Sequence, residues 1–176
     1  MLLSYLLAFC RVVIGLVFAI SSIRKMLHFS VFEQTIIRFR LLPARWSRKV
    51  ALLFLACEFA VVALTLAGGR FLRFGFELAA FLLLIFGAAL VSVLARDIRS
   101  SCNCFGSTER PVSPSDVWRN VGFILCALFG LVALTTSHRR DVGMGIAGWG
   151  MAGIAAAVFV MVWIQIGEIV QLFRQG

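Results

Sequence analysis

Five long apolar runs organise the chain: Leu2–Ile23, Val50–Ala67, Phe71–Ala95, Val117–Thr136 and Ile146–Phe173. A helix crosses the hydrocarbon core of a bilayer with roughly 17–25 mostly apolar residues, so each run predicts a transmembrane helix. Polar punctuation separates them. Gly68-Gly69-Arg70 predicts a tight turn between spans two and three. Ser113-Pro114-Ser115-Asp116 predicts a helix start, with Ser113 as N-cap, proline at the first helical position and an acid at the third. His138-Arg139-Arg140-Asp141 divides span four from span five. Within span five, Gly148, Ala152 and Ala156 form a row of small residues that suits either close helix contact or a lipid-facing surface.

The segment from Arg24 to Lys49 has a different pattern. Phe29, Phe32, Ile36 and Phe39 recur at helical spacing, with Glu33, Gln34, Arg38 and Arg40 on the other side, and Leu41-Leu42-Pro43 closes the pattern. This predicts an amphipathic helix lying in the membrane interface, as a surface anchor or as a lid. The expected architecture is an all-α membrane protein: a bundle of about five transmembrane helices with one interfacial helix. A single domain covers 1–176, its core bundle spanning about 2–136 and an extra C-terminal span about 146–173.

Composition supports the bilayer as solvent. Of the 176 residues, 61% are hydrophobic and 14% charged, with a mean hydropathy of +1.00. A soluble domain is typically about 45–50% apolar and about 25% charged, so a soluble enzyme, a disordered chain and a coiled coil are excluded. The net charge of +9 lies between apolar runs and not in an aromatic-interleaved patch, which favours anionic headgroups over nucleic acid as the partner. Leu2–Ile20 lacks a basic leader and a small-residue cleavage site, so it reads as a span and not a signal peptide.

Charge also predicts sidedness. Twelve basic residues (Arg24, Lys25, Arg38, Arg40, Arg45, Arg48, Lys49, Arg96, Arg99, Arg110, Arg119 and Arg174) fall on the side of the first link, the third link and the C-terminus. Four (Arg70, Arg73, Arg139 and Arg140) fall on the other. The positive-inside rule then places the N-terminus outside and the third link in the cytoplasm.

That third link holds the motif with the clearest chemistry, Ser101-Cys102-Asn103-Cys104-Phe105-Gly106. Two thiols one residue apart can cycle between dithiol and a strained, labile disulfide. Arg99, Lys25 and His28 would favour thiolate by their positive charge, and Gly106 lets the backbone turn towards span four. Other readings stay open. A zinc site built on the C-x-C and His28 lacks a clear fourth ligand, so no metal is expected. Palmitoylated or inert loop cysteines are the remaining alternatives. Cys10, Cys57 and Cys126 lie within apolar runs, where cysteine packs as a small hydrophobe. Arg11 and Glu58 are charges deep in spans one and two, and the cost of leaving either alone in lipid predicts that they pair, structurally or around a cavity for a polar headgroup or quinone. Glu77 and Glu168 lie near span ends and can reach the interface.

Taken together, these residues resemble the MauE branch of the DoxX/MauE-like membrane proteins. The likeness runs over spans one to four and rests on Arg11, Gly15, Phe18, Lys25, Phe32, Leu41-Leu42-Pro43 and Glu58. Its most specific element is Cys102-x-Cys104-Phe105-Gly106 before span four. The resemblance implies a redox-associated inner-membrane protein that assists processing, transport or disulfide maturation of an exported client, such as the small subunit of methylamine dehydrogenase, beside a thioredoxin-like, MauD-like partner. The core is also similar to that of vitamin K epoxide reductase, which implies a quinone as possible cofactor and active cysteines outside the cytoplasm. This chain lacks that family's C-x-x-C pair. The analogy thus points opposite to the charge distribution on which side Cys102 and Cys104 face. The expected activity is that of a thiol–disulfide oxidoreductase or electron relay. A non-catalytic chaperone or transport subunit, and a lipid- or quinone-binding protein using Arg11 and Glu58, are the alternatives.

Overall fold

A computed structural model describes residues 2–39, 43–96, 113–136 and 145–174, with the side chains of 2, 44, 146 and 166–174 excluded. Six helices follow in order: α1 (Leu2–Leu27), α2 (Phe29–Arg38), α3 (Ala44–Ala67), α4 (Phe71–Ala95), α5 (Pro114–Thr136) and α6 (Ile146–Arg174). Five are long and apolar enough to cross a membrane, all except α2. The chain is an all-α, multi-pass membrane protein, as the apolar runs predict.

The helices outrun the apolar stretches at the first link. Helix α1 continues through Arg24 and Lys25 to Leu27, and α3 starts at Ala44, immediately after Pro43. The extra turn of α1 persists because its inner face is polar and occupied: Ser21, Ser22 and Lys25 are buried, while Ile23, Met26 and Leu27 face outward. Helix α2 is the predicted amphipathic helix, folded back on α3. Phe32 packs against Phe54 with centroids 6.3 Å apart, and Phe39, just past the helix end, is buried. Glu33 is not on the outer face as its pattern suggests, because it accepts a hydrogen bond of 3.4 Å from Ser47 on α3.

The turn at Gly68-Gly69 forms as predicted, with φ of +68° and +54°, a region open to glycine without steric cost. The start of α5 also forms as read. Ser113 donates its backbone N–H to Asp116 Oδ2 at 3.0 Å and its hydroxyl to the same oxygen at 3.2 Å, so the acid reaches back to the residue before the helix, as the acidic member of a capping box does.

Helix α1 is the centre of the bundle and touches every other helix. Its core face (Cys10, Val13, Ile14, Val17 and Phe18) meets Val61, Phe76, Ala79, Phe123 and Ala127 from α3, α4 and α5. The small-residue row of α6 faces inward: Ala152 and Ala156 are buried, and Phe9 of α1 meets Phe159 edge-on at 5.5 Å. Large apolar side chains such as Leu53, Leu66 and Ile154 lie exposed, as expected where lipid and not water is the surrounding solvent.

Candidate functional site

The antiparallel register of α1 and α3 decides where the intramembrane charges go. Gly15 faces Thr65, where an added Cβ would lie 3.5 Å from the threonine hydroxyl oxygen. Two turns further along α1, Ser21 donates to Glu58 Oε1 at 3.1 Å. In this register Arg11 comes level with the end of α3 and not with Glu58. The predicted Arg11–Glu58 pair is therefore not formed. Arg11 donates through Nε to the Thr65 carbonyl at 2.7 Å and through Nη2 to the Leu66 carbonyl at 3.0 Å, and its guanidinium lies 5.2 Å from the centroid of Trp149 on α6. It caps carbonyls that the end of a helix leaves without internal partners, and it opposes the negative end of the helix dipole. Arg11 and Glu58 do not line a common cavity.

The partner of Glu58 is Lys25, one turn beyond Ser21 on the same face of α1. The Lys25 ammonium bonds Glu58 Oε1, with both side chains about 95% buried. The ammonium also sits over three rings, Phe32 from α2, Phe54 from α3 and Phe86 from α4, at 4.9, 4.7 and 5.8 Å from their centroids. Aromatic faces attract a cation most strongly where water is excluded. Lys25 is thus engaged by a carboxylate and an aromatic cage. The loop cysteines whose thiolate Lys25 was expected to favour lie outside the described residues.

Beside this pair lies a cavity of ≈ 30 Å³, walled by α1, α3, α4 and α5. Ser21, Lys25, Glu58, Asn120, Asp116 and Arg119 supply its polar lining, and Val17, Phe18, Leu82 and Phe123 belong to its apolar part. Asn120 donates to the Leu83 carbonyl at 2.9 Å, and Gly87 makes room for it, because a Cβ there would meet Asn120 Nδ2 at 2.5 Å. Asp116 pairs with Arg119 at 2.9 Å. No hydrogen-bond donor among the described residues reaches Glu58 Oε2, although the atom is buried. A cavity holding one benzene molecule measures about 150 Å³, so these residues do not fit a quinone ring.

Cys102, Cys104 and Gly106 lie outside the described residues. The helix ends that carry their link, Arg96 and Ser113, are at the same end of the bundle as Lys25. Cys10 of α1 and Cys126 of α5 are buried in the common core, while Cys57 is half-buried. Glu77 pairs with Arg73 at 2.9 Å on an exposed face near the start of α4, and the Glu168 side chain lies outside the described residues.

Ser21, Asn120 and the Asp116–Arg119 pair are site residues that the sequence reading passed over. One signal was available: Ser21 and Lys25 recur at i, i+4 near the end of an apolar run, which sets both on one helix face.

Comparison with known proteins places this bundle. No solved structure matches the chain. A family model described as methylamine utilisation protein MauE matches residues 3–133, which takes in α1 to α5 almost to their end. A curated relative, the methylamine utilization protein MauE of Paracoccus denitrificans, is 31% identical over 153 residues, or 86% of this chain and 81% of the relative. On a match of that extent, the chain belongs to the MauE family of methylamine utilisation proteins.

Proposed function

We propose that this protein acts in methylamine utilisation as an inner-membrane thiol–disulfide protein, with Cys102 and Cys104 as its redox pair. Its client would be an exported protein such as the methylamine dehydrogenase small subunit, matured beside a thioredoxin-like partner. Family membership and the position of the C-x-C support this reading. The motif sits in the one link that joins α4 to α5, flanked by Arg96 and by the Asp116–Arg119 turn. In the reaction, a thiolate of the pair attacks a disulfide sulfur of the partner, and a mixed disulfide forms as a partner thiolate leaves. The second cysteine then attacks that mixed disulfide, so the C-x-C becomes oxidised and the partner carries two thiols. The reverse sequence delivers a disulfide to a reduced client.

Both cysteines are needed for a full cycle. Cys102→Ser and Cys104→Ser are each expected to abolish client maturation at unchanged membrane level, and Cys104→Ala is expected to trap a partner as a mixed disulfide. Normal maturation in both serine variants would replace the redox reading with a scaffold or transport role. The distribution of basic residues favours an outside N-terminus and a cytoplasmic C-x-C link.

A further inference from the structure

Helix α3 opens Ala44-Arg45-Trp46-Ser47-Arg48-Lys49, and its cations stand at i, i+3 and i+4, a spacing that gathers them on one side of the helix. Arg45, Arg48 and Lys49 are all exposed, whereas Ser47 between them is buried and turned to Glu33 of α2. No carboxylate among the described residues pairs with any of these cations. The acids of α3 and of the helices packed on it are engaged elsewhere: Glu33 with Ser47, Glu58 with Lys25 and Ser21, and Glu77 with Arg73. Lys49 holds its ammonium 5.3 Å from the centroid of the Trp46 ring, which orients the side chain and leaves its charge intact. The same helices add Arg24, Arg38 and Arg96 at this end of the bundle, all exposed.

Beyond the cations, this face of α3 turns apolar without turning inward. Steps of three and four residues from Lys49 lead to Leu52, Ala56, Phe59 and Ala63, and each of them is exposed. Between Lys49 and Gly68 the helix rises about 28 Å, at about 1.5 Å per residue, close to the roughly 30 Å of a bilayer's hydrocarbon core. That sets the cations at headgroup depth and the apolar stripe beside acyl chains. Trp46 and Trp118, both exposed at this end, mark the same level, since tryptophan favours the boundary between hydrocarbon and headgroups. A free anion or an acidic protein segment would engage the cations alone. A lipid offers a negative head and an apolar body in the order that α3 displays.

We propose that this face of α3 is a binding site for an anionic phospholipid, whose phosphate is held by Arg45, Arg48 and Lys49 and whose acyl chain lies along Leu52, Ala56 and Phe59. The uncompensated cations select a lipid of net negative charge over a zwitterionic one, whose ammonium would bring a positive charge back to the same place. The site uses no cysteine and stands independently of the thiol chemistry.

The test is quenching of tryptophan fluorescence, with the full chain in vesicles that mix phosphatidylcholine with phosphatidylglycerol, either lipid carrying brominated acyl chains in turn. The part of the signal owed to Trp46 is the difference between each protein and its Trp46→Phe version. A basic side chain near an anionic surface is worth about fivefold in binding, so phosphatidylglycerol should be preferred at Trp46 by at least about fivefold. Arg45→Gln, Arg48→Gln and Lys49→Gln combined should remove the preference, while Arg45→Lys with Arg48→Lys, which keeps the charges, should retain it. Equal quenching by the two lipids in the unaltered chain would overturn the proposal and leave the cations to an acidic protein partner. A preference that survives the triple exchange, or that falls as far in Arg24→Gln, would show a diffuse field of the whole surface and overturn the site on α3.

Discussion

Exchanging Lys25 for methionine keeps the length of the side chain and removes its charge, which leaves the buried Glu58 carboxyl with only the Ser21 hydroxyl as donor. Both partners are about 95% buried, so neither can recover solvent without opening the bundle. Removing one member of a buried pair typically costs about 3–5 kcal/mol, most of it the exposure of the other charge to an environment without compensation. The loss from Lys25→Met should fall in that range, since the contacts of the ammonium with three phenylalanine rings go as well. Glu58→Leu should cost a similar amount, because Lys25 would keep its rings and lose its anion. The double variant should recover much of the loss, with a coupling of at least about 2 kcal/mol, as neutral packing replaces a desolvated pair. The assay is reversible unfolding in bicelles followed by tryptophan fluorescence, run on the four proteins of the cycle. Strictly additive losses would refute the pairing. Coupling of Glu58→Leu to Arg11→Leu in place of Lys25→Met would refute the register of α1 against α3 as well.

Arg11→Leu should destabilise the bundle by about 2–4 kcal/mol through two lost charged hydrogen bonds to the end of α3, additively with Glu58→Leu, as the same unfolding assay would show. Gly130→Ala should cost about 1–3 kcal/mol, because the new Cβ would stand 2.6 Å from the ring of the fully buried Phe76, and a lowered melting temperature in detergent checks it. Single cysteines placed in the α2–α3 link and in the α4–α5 link should react alike with a membrane-impermeant maleimide, because five spans bring the two links to one side; opposite labelling would contradict the five-span bundle.

Much of the architecture was legible from the chain alone. Length and apolarity fix a membrane span with little help from neighbours, because a helix in lipid satisfies its own backbone and needs only an apolar exterior. The five spans, the Gly68-Gly69 turn and the Ser113–Asp116 helix start are local features of this kind. The C-x-C is equally local, and two cysteines one residue apart remain close whatever surrounds them. The partner of Glu58 was not legible. Counting inward from the ends of the apolar runs brings Arg11 to a similar depth, but α1 continues to Leu27 and α3 begins at Ala44, so the runs understate both helices. A helix turns about 100° per residue, which sends Arg24 outward and its neighbour Lys25 inward; the two look equivalent in the sequence as flanking basic residues. The chain therefore determined that Glu58 needs a compensating charge, since a lone carboxylate in lipid is costly. Only the packing of α1 on α3, pinned where Gly15 meets Thr65, decided that Lys25 supplies it and that Arg11 instead caps a helix, because the choice depends on a register of a few ångströms that no single segment encodes.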